Sequence, residues 1–101
     1  MQDNRLVLAG VVGNTPQLRH SPAGIPVLRF SLQHTSRQQE AGMQRQVICQ
    51  IGVIASGDSL VQTAQPLAAG DGIRVSGFLA RANNRDGEYR LILHADTIER
   101  L

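Results

Sequence analysis

Arginine is the one residue type in this chain whose number and placement point to a chemistry. All ten basic side chains are arginine and none is lysine, set against eight carboxylates for a formal net charge of +2. A guanidinium offers a planar fork that pairs with phosphate oxygens and a flat face that stacks on bases, so the choice suits a nucleic-acid partner. A G+C-rich genome produces the same exclusion of lysine through codon usage, so the positions have to carry the argument. Arg19 lies in a Pro-containing turn segment from Asn14 to Pro26, while Arg37 and Arg45 sit near the ends of a polar stretch holding Glu40, Ala41 and Gly42. Arg81, Arg85 and Arg90 cluster around a second stretch with Asn83, Asn84 and the turn pair Asp86-Gly87, opposed only by Asp86 and Glu88.

Other chemistries find no support. His20, His34 and His94 show no metal-ligand spacing, and no phosphate loop, nucleophile elbow or zinc-deaminase pattern occurs, so no enzyme, metal or cofactor is expected. A single cysteine, Cys49, excludes an intrachain disulfide and fits a reducing cytoplasm. Its alternation with Val47 and Ile51 predicts a buried, unreactive thiol. No basic leader or long apolar span points to export or to a membrane.

The elements that position these arginines are short and β-like. With 101 residues, 42% of them apolar, the chain is expected to form one folded domain over 1–101. Period-2 alternation marks five runs: Arg5 to Val12, Val27 to His34, Arg45 to Ile54, Ile73 to Ala80 and Tyr89 to Ile98. The first is apolar on both faces, with Leu6, Leu8, Gly10 and Val12 against Val7, Ala9 and Val11, and Gly10 permits the bend a closing barrel strand needs. The second sets Leu28, Phe30 and Leu32 against a wet face of Arg29, Ser31 and Gln33. Between the third and fourth runs, Leu60, Val61, Ala64 and Leu67 have helical spacing, cut short by Pro66. Five strands with a short helical connector between strands 3 and 4 predict an all-β, five-stranded OB-fold barrel; an SH3-like barrel, which usually lacks so long a connector, is the nearest competitor.

In an OB barrel the turn after the first strand and the two polar arms flank one groove, so Arg19, Arg37, Arg45, Arg85 and Arg90 are expected to converge there. The stretch from Thr35 to Gln44 is read as a mobile hairpin arm. Stacking platforms are scarce: Phe30, Phe78 and Tyr89 are the only aromatics, and Phe30 falls on a core face. Binding is therefore expected to rest on phosphate neutralisation, with weak affinity and a steep salt dependence. Val7 and Val11, on the outer face of the first run, suit a symmetric dimer seam.

The order and spacing of several short segments add a resemblance that spans nearly the whole chain. Asn4-Arg5-Leu6-Val7-Leu8, Gly10, Ser21-Pro22-Ala23-Gly24-Ile25-Pro26, Glu40-Ala41-Gly42, Arg45-Gln46, Cys49-Gln50, Val53-Ile54, Ser56-Gly57, Gly77-Phe78 and Leu93-His94-Ala95 together resemble the primosomal replication protein N (PriB) family, related to bacterial single-stranded DNA-binding protein. The resemblance implies a homodimeric OB fold that binds single-stranded DNA and acts with a primosomal restart helicase and other primosome proteins. It places basic DNA contacts at Arg19, Arg85 and Arg90. The chain departs where the family's strand-three Trp is Ile48, a Phe of the preceding arm is Met43, an Arg is Thr35 and a hairpin Lys is Asn83. Ile48 and Met43 still offer apolar contact, without a π-face. The nucleic-acid-binding set is therefore read as Arg19, Arg37, Met43, Arg45, Ile48, Arg81, Arg85 and Arg90. A protein adaptor with secondary DNA binding is the alternative. A genome-coating single-strand binder is disfavoured, because the chain ends at Glu99-Arg100-Leu101 without an acidic tail.

Overall fold

The computed structural model describes residues 1–82 and 90–101. Its strands are β1 (Leu6–Val12), β2 (Gln17–His20), β3 (Pro26–Glu40), β4 (Met43–Ser56), β5 (Gly72–Arg81) and β6 (Leu91–Arg100), with one helix, α1 (Asp58–Ala64), between β4 and β5. The ring runs β1, β5, β6, β4, β3 and back to β1, where Val11 pairs with Gln33 and Val12 with Leu32. The closing β4–β6 contact is parallel, matching Gly52 with Ile92 and Ile54 with His94. This is the five-stranded OB barrel that the alternation predicts, with the helix between its third and fourth barrel strands.

The interior repeats the alternation read from the sequence. Val12, Leu28, Leu32, Val53, Ile73, Val75 and Leu93 are fully enclosed, and Phe30 joins them at 4% exposure. The short helix packs on β3, β4 and β6 and contributes Val61 and Ala64 to the core, with Leu67 following just beyond its end. Proline two residues after Ala64 removes the amide that a further turn would need.

Two expectations require correction. The turn segment from Asn14 to Pro26 contains a sixth strand, β2, which pairs with the edge of β3 from Gln17↔Arg29 to His20↔Pro26. Four exposed residues of no alternating pattern give little periodic signal, and the pairing with β3 is what holds them extended. The stretch from Thr35 to Gln44 is the expected hairpin arm, and it is paired throughout: β3 and β4 stay in unbroken register from Val27↔Ser56 to Glu40↔Met43. Their turn is Ala41-Gly42, with φ 54 and 77, the positive pair that matches strand twist in a two-residue hairpin. Cys49 is exposed rather than buried. It does lie on the core-facing side of the β3–β4 ribbon, but there it borders an open cleft with Leu6, Leu8, Ile51 and Leu91 and not the closed interior.

That protruding ribbon explains the shape. The molecule measures 49 × 32 × 28 Å with a radius of gyration of 14.5 Å, above the about 13 Å of a compact chain of this length. The expected last hairpin, with Asp86-Gly87 at its turn, lies outside the described residues, as do Arg85 and Tyr89.

Candidate nucleic-acid interface

The pleat sorts the arginines. Successive residues of a strand point to opposite sides, and cross-strand partners share a side. On β3 the even positions Leu28, Phe30 and Leu32 face the core, so Arg29, Ser31, Gln33, Thr35 and Arg37 face outward. The register adds Ile54, Gly52, Gln50, Ile48 and Gln46 of β4 to that same outer face, opposite them in turn. From β2, Arg19 opposite Val27 and Gln17 opposite Arg29 share it as well. Arg19, Arg29, Arg37 and Ile48 thus occupy one surface, and at about 3.3 Å per residue Arg29 and Arg37 are roughly 26 Å apart along β3. Ile48 stands 73% exposed on it.

Three adjoining clefts continue this surface across β4 and β6. One, of about 250 Å³, is bounded by Asn14, Gln17, Arg29, Gly52, Ile54 and Ile92. A second, of about 460 Å³, adds Gln50, Arg90 and Leu91. The third, of about 280 Å³, lies among Arg29, Ile54, Arg81, Ala82, Ile92 and His94. Ile92 lines all three, so they form one trough that brings Arg81 and Arg90 to the face already carrying Arg29. Gly52 keeps its middle open, because a Cβ there would sit 2.8 Å from the Ile92 Cδ1.

Ion pairing separates the remaining guanidinium groups from this surface. Arg74 pairs with Glu99 at 3.2 Å, Arg100 with Asp71 at 3.4 Å, and Arg5 with Asp96. Among the described residues, Arg19, Arg29 and Arg37 have no carboxylate partner. A guanidinium without a local counter-charge presents its full field to an approaching polyanion.

Two of the residues singled out from sequence are not brought to the outer face. Met43 and Arg45 have the parity of Val53 and Ala55, so they project from the opposite side of the ribbon to Ile48. Arg45 is also held by Glu40 at 2.7 Å. Met43, 72% exposed, stands at the hairpin tip. Arg85 lies outside the described residues.

One basic residue escaped sequence reasoning. Arg29 was legible as part of the wet face of the second run, but nothing local distinguished it, because its significance comes from Ile54, Ile92 and His94 on two other strands. The stacked rings of Phe78 and His94, 5.0 Å between centroids and 3° from parallel, were likewise invisible before β5 and β6 were registered.

Comparison with known proteins agrees with this architecture. Residues 4–97 match a family described as "Another single-strand binding protein family". The replication restart protein PriB of Photorhabdus laumondii subsp. laumondii is 46% identical over 99 residues, 98% of this chain and 94% of that one. The chain belongs to the PriB family. The solved PriB of Ralstonia solanacearum superposes with a TM-score of 0.84 at 27% identity, covering 98% of this chain and 99% of that one. A deletion mutant of the single-stranded DNA binding protein from Thermus aquaticus gives a TM-score of 0.79 at 27% identity, over 98% of this chain and 50% of that one. The PriB barrel therefore accounts for almost the entire length, and the resemblance read from short motifs holds for both family and fold. Among the described residues of this PriB-family chain, no group of three or more His, Cys, Asp or Glu side chains could hold a metal ion, and no helix is long and apolar enough to cross a membrane.

Proposed function

We propose that this chain binds single-stranded DNA along the outer face of β3 and β4 and acts as an accessory factor in replication restart. The observation that carries the reading is the gathering of Arg19, Arg29 and Arg37, none neutralised by a carboxylate, on the face whose trough also reaches Arg81 and Arg90. The names of its relatives support the same process. Phosphates meet the guanidinium groups, and Ile48 offers an apolar contact to a base. Arg85, which lies outside the described residues, is assigned to the site by the family resemblance, and Met43 and Arg45 contribute where the strand passes around the tip of the β3–β4 ribbon.

The functional unit on this reading is a homodimer with Val7 and Val11 at its seam, supported by their exposure of 59% and 39% on β1. It holds the single strand for a primosomal restart helicase.

A labelled oligodeoxythymidine of 20 nucleotides titrated with protein at rising salt is the direct test. Each phosphate neutralised on a single strand contributes about 0.7 to the falling slope of log K against log salt, so a slope of roughly −2 to −4 is expected. No binding at about 20 mM salt, where electrostatic attraction is strongest, overturns the reading in favour of a protein adaptor. In the same assay Ile48→Trp is expected to tighten binding about tenfold, since base stacking on an aromatic contributes about 1 to 3 kcal/mol. Unchanged affinity in that variant removes Ile48 from the site.

A further inference from the structure

The cleft between Arg29 and His94 lies next to the one exposed ring pair among the described residues. Across the sheet the order is Arg29 on β3, Ile54 on β4, His94 on β6 and Phe78 on β5, each the register partner of the next. Phe78 is 42% exposed and lies nearly parallel to the His94 imidazole, with 5.0 Å between centroids. His94 in turn forms one wall of the cleft, Arg29 and Arg81 line the rest, and Ile54 and Ile92 supply its apolar lining.

We propose that this cleft is a nucleobase subsite, in which one base of a single strand extends the Phe78–His94 stack and is covered on its other face by the Arg29 guanidinium. The inference rests on the single-stranded DNA reading above and gives it a base-contacting element. Two strand spacings separate Arg29 from His94, about 10 Å, and a flat base with a contact of about 3.5 Å on each side needs about 7 Å. A ring, an apolar floor and a guanidinium without a carboxylate partner are what a base and its flanking phosphate require together. An aliphatic side chain at Ile48 leaves the far end of the face without a ring, so this cleft is where the described part of the barrel stacks a base.

The subsite separates from general phosphate attraction because stacking carries no counterion release. The probes are a labelled oligodeoxythymidine of 20 nucleotides and its abasic analogue, which keeps the phosphates and lacks the bases. His94→Leu is expected to weaken binding of the thymidine oligomer about tenfold, with the salt slope and the affinity for the abasic oligomer unchanged. Arg29→Gln is expected to weaken both and to lower the slope by up to about 0.7. His94→Trp keeps a ring against the cleft and introduces the chain's sole indole, since the sequence has no tryptophan; its fluorescence is expected to be quenched by the thymidine oligomer with the midpoint seen by anisotropy. Binding by the unaltered protein with equal affinity in His94→Leu, or a rise in anisotropy without quenching in His94→Trp, overturns the subsite and leaves the DNA reading standing. Failure of the unaltered protein to bind either oligomer overturns both.

Discussion

Replacing Arg19, Arg29 and Arg37 together with glutamine is expected to weaken single-stranded DNA binding about a hundredfold at about 0.1 M salt. Each phosphate contact on a single strand releases about 0.7 of a counterion, which at that salt is worth about 1 kcal/mol, or roughly fivefold in affinity. Three such contacts multiply to about a hundredfold, and the slope of log K against log salt should fall by about 2. The informative control is Arg5, Arg74 and Arg100 changed to glutamine, which removes the same formal charge from groups already paired with Asp96, Glu99 and Asp71. Exposed pairs of this kind contribute little to stability, so the control should remain folded and lose only the small share due to net charge. Equal loss in the two triple variants would mean that binding follows overall charge and not the outer face of β3, and the proposed site would be abandoned.

Gly10→Ala is expected to destabilise the barrel by about 3 kcal/mol, at the upper end of overpacking costs. A Cβ at this position would lie 2.1 Å from the Gln33 carbonyl oxygen and 2.9 Å from its carbon, and backbone cannot swing aside as a side chain can. The contact lies where β1 crosses β3, and that seam is closed by only two register pairs, Val11↔Gln33 and Val12↔Leu32. Urea denaturation measures the effect: with a slope of about 1 to 1.5 kcal/mol per molar for a small domain, the midpoint should fall by about 2 to 3 M. Gly24→Ala provides the comparison, since its added Cβ meets nothing within 4 Å and only the φ of 84° is unfavourable. A midpoint for Gly10→Ala within a few tenths of a molar of the unaltered protein would show that β1 and β3 do not approach as closely as described.

Both expectations turn on pairings between distant parts of the chain, and that is where sequence reading stopped. The period-2 pattern correctly located β1, the core half of β3, the core half of β4, and β5, because a pleat is a local property of consecutive residues. It assigned Phe30 to the core and Val7 and Val11 to the outside for the same reason. The same rule misjudged Cys49. Alternation says which side of a strand a residue faces, but burial on that side depends on how closely the opposite strands approach, and Cys49 faces an open cleft beside Leu6, Leu8 and Leu91. The sixth strand was missed because four exposed residues carry no alternation, and only the free edge of β3 makes them extended.

Composition, alternation and the order of short motifs were enough to establish from the sequence a β barrel of the OB type and its family, since each depends on neighbours along the chain or on spacing alone. The tertiary structure decided which arginines act together. Arg74 and Glu99 are 25 positions apart and Arg5 and Asp96 are 91 apart, so no window of sequence shows that these guanidiniums are neutralised while Arg19, Arg29 and Arg37 are not. Charge is a property of the residue, but the field it presents depends on what the closed sheet places beside it.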